Sequence, residues 1–190
     1  MKRYAISLML IVASTIAVST TPNVPPEEYR VLACILDSFY SKPNHGPYFI
    51  IDRPIANAFD DLSAEAAFLD QRAAPDSSLY PLLNELIANG RSKKNEEVLF
   101  KHKLKARTSY RVKSLKKNSS SLDINDIYRS YPTFGGIIEF SRVGFSNDGR
   151  FALVITTIYQ GPQDAGGNNL LLEKQGNNWR IIKRRRDWVS

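Results

Sequence analysis

The chain has 190 residues, a formal charge of +7, one cysteine and two histidines. A single cysteine, Cys34, excludes an internal disulfide, and with His45 and His102 as the only histidines no zinc-type ligand spacing is present. The charge is uneven: residues 20–90 carry ten acids against four bases, residues 91–117 eleven bases against two acids, and residues 179–190 five bases against one acid. The excess therefore sits in two segments, and the acidic first part can offset some of it internally.

The opening "MKRYAISLMLIVASTIAVSTTP" places Lys2 and Arg3 before an apolar run from Ala5 to Val18 and the small residues Ala17, Ser19 and Thr20. This is the layout of a secretory signal peptide over residues 1–19, cut near Ser19. The run is shorter than the roughly 20 residues of a spanning helix, so a secreted or periplasmic protein with no transmembrane segment after cleavage is expected. Residues 20–190 then form a single domain, large enough to be held by a hydrophobic core.

In "PPEEYRVLACILDSFYSKP", Pro26 suits a first helical position, Glu27 and Glu28 suit the positive end of the helix dipole, and Pro43 closes the segment. Leu32, Ile35, Leu36 and Phe39 recur at helical spacing and predict a buried stripe; Cys34 falls among these apolar residues as a small buried hydrophobe. "PYFIIDRP" predicts a short strand. Asp60 to Arg72 and Ser77 to Gly90 both read as helices, with Asp60, Asp61, Ser77 and Ser78 as N-caps and Gly90 as a stop.

The basic stretch from Arg91 to Lys117 alternates apolar and cationic residues around Phe100–Lys105 and Tyr110–Lys113, which predicts two strands with a solvated cationic face. Asp123 caps a short helix ended by Pro132. Four strand-like runs follow: Gly136 to Phe145, Arg150 to Gln160, Asn169 to Gln175, and Trp179 to Val189. Asn147-Asp148-Gly149 and Gly176-Asn177-Asn178 supply the positive-φ residues of tight hairpins, and an antiparallel meander is expected. The fold class is α+β: N-terminal helices packed on a mostly antiparallel sheet that ends in a four-stranded C-terminal meander.

"GGIIEFSRVGFSNDGRFALVITT", "LLLEKQGNNWRIIK" and the closing "WVS", together with "EEYRVLACILDSFY" and "YFIIDR", resemble an uncharacterised family of exported bacterial proteins. The resemblance is most specific over Tyr131 to Ser190. It implies an exported bacterial α+β protein and carries no activity. Two departures from that family's pattern stand out: many of its members carry a cysteine pair in the loop that here reads "GPQDAGG", and they lack a run as basic as "KRRRD".

No catalytic constellation is visible. Asp60 and Asp61 are adjacent and point apart, so a cap explains them better than an acid/base pair. Gly135-Gly136 and Gly166-Gly167 lack phosphate-loop spacing and read as turns. Ser141-Arg142 has no base at known reach and reads as strand. His102 between Phe100 and Leu104 is a structural histidine.

The sharper candidates are cations: Lys101, Lys103, Lys105, Arg184 and Arg186 as an anion-binding face, against the reading that they are solvated strand faces or pair with the acidic half. Strict alternation would put Trp179, Ile181, Lys183 and Arg185 on one face of the last strand and Ile182, Arg184, Arg186 and Trp188 on the other. The expected function is an exported noncatalytic binding or interaction module for an anionic surface or polymer, with no cofactor and with nucleic acid disfavoured as partner. The alternative is a hydrolase of anionic polymers whose carboxylates converge only in three dimensions.

Overall fold

A computed structural model describes residues 26–40, 47–52, 54–55, 57–60, 62–63, 77–93, 104–113, 127, 129–161 and 163–189. Residues 1–19, most of the expected Asp60 to Arg72 helix, Asp123, and both Lys101 and Lys103 lie outside these. No helix among the described residues is long and apolar enough to cross a membrane.

Among the described residues the main elements are two helices and a mixed, mostly antiparallel sheet: α1 (Pro26–Phe39), β1 (Tyr48–Ile51), α2 (Tyr80–Ser92), β2 (Tyr110–Lys113), β3 (Gly136–Phe140), β4 (Gly144–Phe145), β5 (Phe151–Gly161), β6 (Asp164–Gln175) and β7 (Asn178–Val189). The strand order is β2-β1-β3-β5-β6-β7, with β4 also paired to β5. β1 runs parallel to both β2 and β3, and every other pairing is antiparallel. β1 is flanked on both edges and buried along its whole length, which is why "YFII" is a continuous apolar run rather than an alternating one.

The two helices cover opposite faces. Val31, Leu32, Ile35 and Leu36 of α1 pack on Ile138, Phe140, Val154, Leu170 and Leu172, whereas Leu83, Leu86 and Ile87 of α2 pack on Leu153 and Leu171. Neighbouring residues of β5 and β6 thus go to different cores, as the two-residue period of a strand requires. Burying a leucine of either stripe contributes about 1.5–3 kcal/mol.

Several boundaries differ from expectation for identifiable reasons. The expected strand Gly136 to Phe145 is interrupted at Ser141–Val143, where the Ser141 hydroxyl accepts from the Ile155 N–H at 2.9 Å. A side chain there takes part in the pairing to β5. Helix α2 continues past Gly90 to Ser92. Gly90 is small because the Phe59 ring occupies the space of a Cβ. Leu79, rather than Ser77 or Ser78, occupies the N-cap position of α2; Pro81 in the first turn costs no hydrogen bond.

Gly166 and Gly167 lie within β6 rather than in a turn, since β6 begins at Asp164. Trp188 fills the side-chain space over Gly167. Leu104–Ala106 is not strand, so the basic stretch contributes one strand, β2, among the described residues. The hairpin glycines Gly149 and Gly176 take φ of 68° and 60°, as their turns demand.

The parity of β7 is corrected most consequentially. Leu171 pairs with Lys183 but Leu172 pairs with Ile181, so Ile182 is an extra residue: a β-bulge. A second register shift lies between Arg186 and Trp188. Beyond the first bulge, Arg184 sits opposite Leu170 and Arg186 opposite Asn168, on the α1 face with Trp179 and Ile181. Lys183 and Arg185 go to the α2 face.

Candidate functional site

The shift at Ile182 brings Arg184 and Arg186 to the wall of a cleft. Its floor is formed by Thr156 and Ile158 of β5 and by Gly166, Asn168 and Leu170 of β6. Phe39 and Tyr40 at the end of α1, with Tyr48 of β1, form one wall, and Arg184, Arg186 and Val189 of β7 form the other. Gln160 and Asp164 from the β5–β6 hairpin complete the rim. The cavity volume is about 230 Å³.

Why these residues meet follows from register. Phe140, Thr156, Asn168 and Arg186 are successive cross-strand partners on one face, and Val154, Leu170 and Arg184 form the next row. The apolar stripe of α1 covers the second row at Val154 and Leu170. Helix α1 ends at Phe39, so the row ending in Arg186 opens into the cleft.

Arg184 is held from two sides. Its Nε donates to Asn168 Oδ1 at 2.8 Å, and its guanidinium carbon lies 4.7 Å from the Phe39 ring centroid. Those contacts orient a planar group whose two terminal nitrogens donate to no described residue. Neither Arg184 nor Arg186 forms an ion pair with a described carboxylate. At the floor, Thr156 is 1 % exposed, and its buried Oγ1 lies near the Tyr40 hydroxyl rather than open to the cleft. Burial pushes the Tyr40 hydroxyl up to about 12, with the nearby Thr156 and Arg184 pulling the other way, and burial also raises Tyr48. Both phenols stay neutral at physiological pH.

The acids of α1 pair elsewhere. Glu28, 1 % exposed, receives Nε of Arg142 at 3.1 Å, Nη2 of Arg142 at 3.2 Å and Nζ of Lys93 at 2.9 Å. Lys93 also donates to the Val143 carbonyl at 2.9 Å, and Asp37 accepts from the backbone of Arg107 and Thr108. Glu27 binds Lys174 at 2.8 Å and the Trp179 indole at 2.9 Å. Partial burial opposes its ionisation, but the bonds from Lys174, Trp179 and Arg30 hold its carboxyl below the usual range. Ser141-Arg142, read from sequence as an ordinary strand pair, is thus buried framework: Arg142 ties the β3–β4 break to α1. Cys34 is half-buried, donates to the Trp179 carbonyl at 3.1 Å, and has its thiol pushed up by burial.

Of the expected anion-binding residues, Arg184 and Arg186 come together. Lys105 is exposed and does not line the cleft. The wall and floor residues Tyr40, Tyr48, Thr156 and Asn168 were not singled out from sequence; their only signal was polar or aromatic character at positions that alternation assigns to the core.

On the α2 face, Glu139 is half-buried, and burial raises its carboxyl against the help of the Tyr159 hydroxyl, which donates at 3.3 Å. Burial, then the Glu139 charge, pushes Tyr159 up to about 12. Among the described residues no group of three His, Cys, Asp or Glu is placed to hold a metal ion. No protein-family model, curated protein or solved structure matches the chain.

Proposed function

We propose that this chain is an exported, noncatalytic binding module that holds an anionic group in the α1-face cleft through Arg184 and Arg186. The observation that carries this reading is the bulge at Ile182, which puts both guanidinium groups beside one concave, aromatic-walled cavity. Arginine's planar fork suits such a site because it grips a carboxylate or phosphate along two parallel bonds. Export rests on the signal-like N-terminal residues and on the resemblance over Tyr131 to Ser190.

A hydrolase of anionic polymers draws less support. General acid/base cleavage wants two carboxyl groups around one cleft, and among the described lining residues Asp164 is the one carboxylate. Glu139, whose carboxyl is raised, faces the other side of the sheet.

Binding to an anionic polysaccharide, anionic vesicles and DNA over a salt series tests the proposal. The expected result is polysaccharide binding that weakens steadily as salt rises. Binding that is absent, or insensitive to salt, overturns it.

A further inference from the structure

The cleft is more discriminating than a cationic surface, and its chemistry narrows the ligand. Resting on the anion-binding reading above, we infer that it takes one carboxylated sugar ring, a hexuronate, free or at the end of a chain.

The size comes first. A cavity of about 230 Å³ is smaller than the pockets that hold drug-sized ligands, and suits a single ring. The charge comes second. Arg184 spends Nε on Asn168 and stacks on Phe39, so its remaining edge presents two parallel N–H groups, the match for a planar carboxylate. Two neighbouring features select against a second negative charge. Asp164 stands on the rim, and α1 ends at Phe39, so the negative end of its dipole is turned to the same space. A monoanion satisfies the arginines and escapes most of that repulsion; a phosphate dianion does not.

The ligand body comes third. A bare carboxylate engages only the arginines and leaves the other polar groups that line the cleft unused. The Asn168 amide and the neutral phenols of Tyr40 and Tyr48 border the same space. Hydroxyls around a ring meet these groups, while its C–H face rests on the aromatic wall. A simple organic acid meets none of them.

Titration calorimetry of the full chain with glucuronate, glucose, glucose 6-phosphate and acetate tests the assignment. Glucuronate is expected to bind at least about tenfold more tightly than each of the others. Arg184→Gln should abolish that binding, and Tyr48→Phe should weaken glucuronate by about tenfold while leaving acetate unchanged, with thermal unfolding confirming that both variants are folded. If acetate matches glucuronate and Arg184→Gln removes both, the anion site stands and the sugar assignment falls. If glucose 6-phosphate leads, the selection for a monoanion is wrong. If no small anion binds while Arg184 and Arg186 still govern polysaccharide binding, the cleft is not the seat of the ring. If Arg184 and Arg186 govern nothing, the anion-binding reading itself fails.

Discussion

The guanidinium of Arg184 lies 4.7 Å from the centre of the Phe39 ring, joining the end of the first helix to the last strand across almost the whole length of the chain. The contact exists only because the bulge at Ile182 returns Arg184 to the α1 face. It fixes the plane of the charge that the cleft presents. Phe39→Leu should therefore keep the fold and the charge yet weaken anion binding by about threefold, the value of a partly exposed cation–π contact. Arg184→Lys, which has no planar fork, should lose more than Phe39→Leu in the same titration.

Glu28, Arg142 and Lys93 form a buried ion cluster that ties α1 to the β3–β4 break and to the end of α2. Removing one partner strands a charge. Arg142→Met alone should cost about 3–5 kcal/mol in urea unfolding, whereas Glu28→Leu combined with Arg142→Met should recover much of that loss, because an apolar pair needs no desolvated charge. A double variant less stable than the sum of its singles would contradict this.

A Cβ at Gly144 would collide with the Leu86 backbone carbonyl of α2, and it would stand 3.2 Å from the Gly90 nitrogen. Both are main-chain atoms of a helix, so no rotamer change relieves the clash. Gly144→Ala should lower stability by about 2–3 kcal/mol in chemical denaturation. A neutral result would mean that α2 does not sit this close to β4.

Glu139 gives a pH signature. Its folded carboxyl is raised above the ordinary value, mainly by burial, so the folded state holds this proton more tightly than the unfolded chain. Its burial therefore costs nothing in acid, where both states are protonated, and costs progressively more as pH rises through the raised value. Relative to the parent chain, Glu139→Gln should gain stability as pH rises from below the ordinary carboxylate value through the raised one. It should also move the ionisation of Tyr159 down from about 12, since the carboxylate charge helps hold it there. Ultraviolet titration of the phenols checks the second point.

Much of the framework is readable from the residues. The spacing of Leu32, Ile35 and Leu36 marks the buried stripe of α1, and Gly149 and Gly176 mark the hairpins because only a positive φ closes such turns. The parallel pairing of β1 with β2 and β3 is not readable, since it depends on contacts far apart in sequence. Nor is the Glu28–Arg142 pair, whose members are 114 positions apart. The site was half legible: Arg184 and Arg186 announced themselves by charge, but a bulge inserts one residue without any local composition signal, and strict alternation put them on the wrong face of β7 relative to Trp179 and Ile181. Thr156 and Asn168 pass as unremarkable strand residues until Arg184 is placed beside them.

Anion binding through one cleft, rather than through bulk charge, is the central claim, and a charge-matched comparison tests it most directly. Arg184→Gln/Arg186→Gln and Lys105→Gln/Arg180→Gln each remove two positive charges, and Lys105 and Arg180 are exposed residues outside the cleft. Affinity for an anionic polysaccharide should fall by at least about tenfold in the first pair, with a shallower salt dependence, and stay within about twofold of the parent chain in the second. Equal losses in the two pairs, or no loss in the first, would contradict the account.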